Sequence, residues 1–226
     1  MVYGLVSYPR SGNTLLRLFL AKVFEVDTMS IYNTEDSGYL LKDVGKEIHH
    51  IDLIPESILY SSSENFFVKT HEVNYPVLSK MIYVVRDGRC ASISYCHHLN
   101  DNGRPTKIEE VISGNITYGS WSNHLDACWG KPGLHLRYED MIINPEKIIE
   151  QLSEFCEMKP KNKWVNEFDR LHQINPQFFR NGNNEASITE FELLDNKDKT
   201  LFWNLHTAWM VKLGYKTETI NERPNS

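Results

Sequence analysis

The sequence predicts an α/β protein with a mostly parallel central sheet flanked by helices, and two observations carry that expectation. Apolar stretches at Val2 to Ser7, Phe66 to Lys69, Met81 to Val85 and Leu134 to Arg137 read as buried strands, with helical patterns between them. Strands that alternate with helices imply a parallel sheet covered on both faces. The second observation is positional: the charged and hydroxyl residues that carry chemistry fall mainly at strand C-terminal ends, where open α/β sheets place ligands. A chain of 226 residues, 41% hydrophobic and 24% charged, suits a single domain spanning 1–226 with one sizeable core.

Taken in order, the apolar run Val2 to Val6 leads into Ser7-Tyr8-Pro9-Arg10-Ser11-Gly12-Asn13-Thr14 and then Leu15-Leu16-Arg17-Leu18-Phe19. This reads as a strand, a tight loop and a helix over Thr14 to Glu25. Such a turn aims backbone N–H groups and the positive end of a helix dipole into the loop. Ser11 and Thr14 add hydroxyls and Arg10 a full charge, so a phosphate or sulfate is the natural guest. The alternative is a sharp strand-to-helix connection made by Pro9 and Gly12. The strand Phe66-Phe67-Val68-Lys69 runs into Thr70-His71, and Met81 to Val85 ends in Arg86-Asp87-Gly88-Arg89. A helix over Gly88 to His97 then carries Ser94, eight residues beyond Arg86. A guanidinium can grip a phosphate with two donors, and a hydroxyl in the following helix can complete the shell. Arg86 as an ion-pair partner of Asp87 is the plainer alternative.

Further helices are expected at Ile108 to Trp129, Pro145 to Cys156, Lys163 to His172 and Asp198 to Leu213. Pro145 after Asn144 is a good start, and Gly214 after Leu213 a good stop. The polar, turn-rich segments Asp101 to Pro105 and Asn181 to Glu185 read as lid loops or plain surface loops.

A net charge of −6 argues against a general nucleic-acid binder, so the expected partner is a small anion held by a local positive field. Cys90, Cys96, Cys128 and Cys156 have no paired metal-ligand spacing and read as reduced, mostly buried thiols. The adjacent pairs His49-His50 and His97-His98 lack a third ligand at metal spacing. The short N-terminal apolar stretch reads as a core strand rather than a secretory signal. Leu15 to Val26 is broken by Arg17, Lys22 and Glu25, which argues against a membrane span. The expected location is therefore cytoplasmic, and the sequon at Asn115 carries no weight against it.

The loop lacks the paired glycines and Lys-Ser/Thr of an ATP-type P-loop. Tyr-Pro-Arg-Ser-Gly-Asn-Thr instead resembles the 5′-phosphosulfate loop of sulfotransferases that use 3′-phosphoadenosine 5′-phosphosulfate. Arg86 and Ser94 resemble that family's 3′-phosphate site, with Gly88 where proline is frequent. Tyr138-Glu139-Asp140 resembles the family segment whose tyrosine lies near the adenine. Phe179-Arg180-Asn181-Gly182, with Phe191 beyond it, resembles the Arg-Lys-Gly loop that closes over the 3′-phosphate, with Asn181 replacing lysine. Leu15 stands where a tryptophan is usual.

The resemblance implies a P-loop-like sulfotransferase fold and a donor site built from Arg10, Ser11, Gly12, Asn13, Thr14, Arg86, Ser94, Tyr138, Arg180 and Gly182. It also implies transfer to an acceptor hydroxyl or amine without a metal. Lys69-Thr70-His71 resembles the family's Lys-Thr-His segment, which implies that His71 is the general base and that Lys69, with Arg10, meets charge on the transferred group and leaving phosphate. Glu72 is a rival base, but in an extended segment it points away from the His71 face. A small metabolite, a lipid-like alcohol or a sugar all fit as acceptor. The alternatives are a small-molecule P-loop kinase and a nucleotide-binding protein of the same fold without catalysis.

Overall fold

The computed structural model describes residues 1–32, 65–74, 80–166, 170, 172–173 and 184–215. Five strands form its sheet: β1 (Val2–Ser7), β2 (Met29–Ser30), β3 (Phe66–Thr70), β4 (Lys80–Val85) and β5 (Gly133–Arg137), in the order β2-β3-β1-β4-β5. Every pairing is parallel, with Leu5 opposite Lys69 on one side and Ile82 on the other. Because β1 is central and the chain departs from it first to one side and then to the other, the crevice at its C-terminal end lies where the strand order reverses.

The described residues include the helices α1 (Asn13–Phe24), α2 (Gly88–Asp101), α3 (Ile108–Ser113), α4 (Trp121–Cys128), α5 (Tyr138–Ile143), α6 (Pro145–Cys156), α7 (Asn184–Glu192) and α8 (Asn196–Lys212). Alternation along the strands divides the core into two layers. Tyr3, Leu5, Ile82 and Val84 pack with Leu16, Phe19 and Leu20 of α1 and Ile148 and Leu152 of α6. Val6, Met81, Tyr83 and Val85 pack on the opposite face with Trp121, Leu125, Phe202 and Met210. Both faces of the sheet are therefore dry, as the unbroken apolar runs of β1 and β4 require. Among the described residues, no helix is long and apolar enough to cross a membrane.

Two expected helices are corrected. The run from Ile108 to Trp129 is two helices, because Gly114 turns left-handed at φ 83° and gives its N–H to the carbonyls of Glu110 and Val111. A Cβ there would lie 2.4 Å from the Ser120 nitrogen, so the turn needs glycine. Ser120 then caps α4 by accepting from the Asn123 N–H. Of the expected helix Lys163 to His172, residues 170 and 172 are helical but 163–166 are not: Lys161 and Asn162 donate their N–H groups to the Val23 carbonyl, and Trp164 stacks on Phe19 at 4.0 Å. Burial against the end of α1 overrides the helical pattern there.

The sequence reading did not separate β2, α5 or α7. Asn184 and Glu185 of the expected loop are the first residues of α7. Cys90, Cys128 and Cys156 are buried free thiols and Cys96 is partly exposed.

Candidate active site

Local backbone chemistry builds the loop between β1 and α1. Arg10 sits at φ 64° and Gly12 at φ 110°, two left-handed positions that fold the chain back over the end of β1. The first is uncommon for a residue with a Cβ, and the second belongs to glycine. Asn13 donates its side-chain amide to the Leu5 carbonyl at 2.6 Å, which pins the loop to the strand below. The α1 ladder begins with Leu16 N–H on the Gly12 carbonyl, so the N–H groups of Asn13, Thr14 and Leu15 precede it. Ser11 Oγ is buried and unpartnered, a polar atom whose desolvation an anion in the loop would offset. These features fit a phosphate or sulfate group.

Tyr138, the first residue of α5, lies against this loop. A Cβ added to Gly12 would come within 2.5 Å of the Tyr138 ring, so the ring closes over the glycine itself. We expect Gly12→Ala to lower the unfolding free energy by about 1–3 kcal/mol through backbone strain alone, with the ring contact adding to it. Denaturant unfolding beside wild type measures this, and an unchanged midpoint would contradict it.

Arg86 and Ser94 converge on the same loop. Arg86 is buried, with its guanidinium 4.4 Å from the Tyr138 ring centroid. Its Nη1 donates to the Arg10 carbonyl at 3.2 Å and its Nε to Asn184 Oδ1 at 2.8 Å, which leaves Nη2 to meet an anion. Arg10 Nε donates to Ser94 Oγ at 3.2 Å, so the Ser94 hydroxyl hydrogen points elsewhere. Asp87 is not the partner of Arg86. Its carboxylate accepts twice from Arg89 and also caps α2 through the Arg89 N–H. Gly88 has a packing reason: a Cβ there would lie 2.8 Å from the Trp121 indole. Leu15 is buried in the same core layer as Tyr138. Arg180 and Gly182 lie outside the described residues, as does Asn181.

Lys69 and His71 stand on the other flank of β1. His71 Nδ1 is 2.7 Å from the carbonyl of Ser7, the residue that ends β1. A carbonyl only accepts, so Nδ1 carries the proton and Nε2 presents its lone pair. Burial first, and the Lys69 charge next, hold the His71 pKa well below the usual histidine range, against the pull of the Ser7 bond. The ring is therefore neutral near pH 7. Glu72 is exposed, in keeping with the alternation that turns it away.

Lys69 Nζ sits 4.2 Å from the Tyr32 ring centroid. Burial, the larger cause, and the guanidinium charges of Arg17 and Arg10 bring its pKa down to about 7.

Several neighbours escaped the sequence reading. Tyr32, whose N–H donates to Ser30 Oγ of β2 at 3.3 Å, receives the His71 N–H on its hydroxyl at 2.7 Å, and its ring stacks on the imidazole at 5.6 Å. Tyr118, delivered by the turn between α3 and α4, lies 5.3 Å from the imidazole. His124 Nε2 donates to the His71 carbonyl at 3.0 Å while its Nδ1 accepts from the Tyr83 hydroxyl at 2.8 Å. Burial lowers the His124 pKa to about 4, which keeps the ring neutral, and the His71 carbonyl, which can only accept, fixes the proton on Nε2. Arg17 is buried behind Lys69, with Nε on Thr28 Oγ1 at 2.8 Å and Nη2 unpartnered. Only Arg17 carried a sequence signal, a charge inside an otherwise apolar helix face.

The parallel sheet order and the loop after β1 define the class as α/β proteins of the P-loop-like architecture. The chain belongs to the sulfotransferase domain family, whose model matches residues 4–202. It is 35% identical over 171 residues to Sulfotransferase 1B1 of Mus musculus, an alignment covering 68% of this chain and 57% of that protein. It is 37% identical over 89 residues to Sulfotransferase 1B1 of Canis lupus familiaris, covering 34% of this chain and 30% of that one. These alignments thus span from under a third to little more than half of the relatives' length.

Among solved structures, mouse sulfotransferase SULT7A1 complexed with PAP superposes with a TM-score of 0.64 at 20% identity, covering 92% of this chain and 83% of that one. Retinol dehydratase in complex with androsterone and inactive cofactor PAP gives 0.59 at 18% identity, covering 100% and 83%. At these identities the similarity is one of fold.

Proposed function

We propose that this protein transfers a sulfuryl group from 3′-phosphoadenosine 5′-phosphosulfate to a hydroxyl or amine of a small acceptor, with His71 as general base. The observation that carries the reading is the bond from His71 Nδ1 to the carbonyl of Ser7, the residue that leads into the anion loop, which leaves a neutral ring with Nε2 as its unprotonated nitrogen. Family membership, and relatives and fold neighbours named as sulfotransferases or complexed with PAP, support it. The donor supplies the activated sulfuryl group, and the protein supplies position and charge.

In this reading the N–H groups of Asn13 and Thr14, the hydroxyls of Ser11 and Thr14, and Arg10 hold the 5′ end, and Gly12 gives the loop its shape. Arg86 Nη2 and the Ser94 hydroxyl hold a 3′-phosphate, with Arg180 and Gly182 closing over it. Tyr138 flanks the nucleotide. His71 Nε2 takes the acceptor proton as the acceptor attacks sulfur, while Lys69 and Arg10 stabilise charge on the leaving phosphate. In this reading no metal has a role, residues 1–226 belong to a single sulfotransferase domain, and the protein acts in the cytoplasm.

The two pKa shifts set the expected pH dependence. His71 must be neutral, and its depressed pKa keeps it so well below pH 6.5. Lys69 must be charged, and in the free protein it loses that charge as pH rises through about 7. The kcat/KM for the donor should therefore hold down to pH 6 and fall above about pH 7, since it reports free-enzyme groups. The kcat should fall only at higher pH, because a bound anionic donor raises the Lys69 pKa. Lys69→Arg should remove the neutral-range fall in kcat/KM. An alkaline limb unchanged in Lys69→Arg would contradict the assignment.

Binding tests the function as a whole. Charge-assisted contacts contribute roughly 1.5–3 kcal/mol each, so Arg86 and Ser94 should favour 3′,5′-diphosphoadenosine over 5′-AMP by about a hundredfold or more. Calorimetry with the purified protein reads this directly. Equal affinity for the two nucleotides, or tighter binding of ATP with magnesium, would favour the kinase alternative.

A further inference from the structure

We propose that Asn184, the first residue of α7, is a positioning residue for the nucleotide 3′-phosphate, acting through Arg86. The inference rests on the reading of Arg86 as the 3′-phosphate ligand. Asn184 uses both ends of its amide. Its Oδ1 accepts from Arg86 Nε at 2.8 Å, and its Nδ2 donates to Glu139 Oε1 at 2.8 Å. Glu139 is anchored in turn: Oε1 also accepts from the Asp87 N–H at 3.1 Å and Oε2 from the Tyr215 hydroxyl at 3.0 Å. A chain of bonds thus runs from the α8 end through Glu139 and Asn184 to the guanidinium.

The arrangement does something specific to Arg86. A guanidinium is planar, so fixing Nε to Asn184 and Nη1 to the Arg10 carbonyl sets both the plane and the direction of Nη2. The Tyr138 ring at 4.4 Å limits movement out of that plane. The same amide that accepts from Arg86 Nε donates to the Glu139 carboxylate, so that carboxylate stands directly behind Asn184. A direct Arg86–Glu139 ion pair would turn the guanidinium toward α5 and neutralise charge that the phosphate needs. Asn184 therefore acts as a neutral spacer that keeps Glu139 from capturing Arg86. It also links α7 to the site, because the Asn184 carbonyl lies 3.6 Å from Cys90 Sγ on α2, the helix that carries Ser94.

The test measures the ratio of affinities for 3′,5′-diphosphoadenosine and 5′-AMP by calorimetry in wild type, Asn184→Ala, Arg86→Ala and the double variant. Asn184→Ser provides a second single variant that keeps a small polar residue at the helix start yet is too short to reach Arg86. Either Asn184 variant should lower the ratio about five- to tenfold, with 5′-AMP affinity within twofold of wild type, as loss of one hydrogen bond to a charged group implies.

In the Arg86→Ala background, Asn184→Ala should leave the ratio where Arg86→Ala put it, since there is no guanidinium left to position. A ratio unchanged by both single Asn184 variants, or lowered equally in both backgrounds, overturns the proposal while leaving the 3′-phosphate site intact. A wild-type ratio near one overturns the site itself and this inference with it.

Discussion

His71→Ala is expected to lose turnover by a hundredfold or more while keeping its affinity for 3′,5′-diphosphoadenosine within about twofold. A general base works only as the acceptor proton leaves, so its removal raises the barrier to transfer without weakening donor binding. The geometry sharpens the expectation. His71 Nδ1 is committed to the Ser7 carbonyl, so the lost group is Nε2 alone. His71→Gln offers an amide of similar reach but no basic nitrogen, and it should be as inactive as alanine. Glu72→Ala should be near wild type, because that side chain is exposed on the opposite face. Single-turnover assays beside calorimetry separate the two quantities. Near-normal turnover in His71→Ala with loss in Glu72→Ala would reverse the assignment.

Arg86→Ala is expected to erase most of the discrimination between 3′,5′-diphosphoadenosine and 5′-AMP, a loss of about ten- to a hundredfold, since a bond to a phosphate from a buried guanidinium contributes roughly 1.5–3 kcal/mol. The bond from Arg86 Nη1 to the Arg10 carbonyl adds a second effect that the sequence did not suggest. Arg10 holds a left-handed backbone at φ 64°, and losing its carbonyl partner should relax the 5′ loop and weaken 5′-AMP by a few fold as well. Ser94→Ala should reduce discrimination less, because a neutral hydroxyl contributes less than a guanidinium. Competition binding across the three proteins ranks these effects. Full discrimination in Arg86→Ala would place the 3′-phosphate elsewhere.

The sheet was legible because β1 and β4 are buried on both faces and so read as uninterrupted apolar runs with polar chemistry only at their ends. Arg10, Lys69, His71 and Arg86 each lie at or within a few residues of a strand C-terminus, and it was the resemblance to the sulfotransferase motifs, not the apolar runs, that suggested roles for Lys69 and His71. Two-residue β2 carries no periodicity to detect, and its place is set by pairing with β3. The break at Gly114 was present in the sequence, but the apolar pattern of Val111, Ile112, Trp121 and Leu125 continues across it and reads as one helix. That break is what brings Tyr118 to His71. Asn184, Glu139 and His124 were beyond reach for a different reason. Their roles arise from contacts 98, 45 and 53 residues apart in the chain, and nothing local distinguishes an asparagine that bridges two charges from one that caps a turn.

The most direct test of the central claim is to incubate the purified protein with sulfur-labelled 3′-phosphoadenosine 5′-phosphosulfate and a panel of phenols, aliphatic alcohols, amines and sugars, with EDTA present, and to identify the products by mass. The expected result is a sulfated acceptor formed in equal amount with 3′,5′-diphosphoadenosine, unaffected by EDTA and absent with His71→Ala. A labelled donor left intact with every acceptor, while ATP and magnesium yield a phosphorylated product from the same panel, would contradict it.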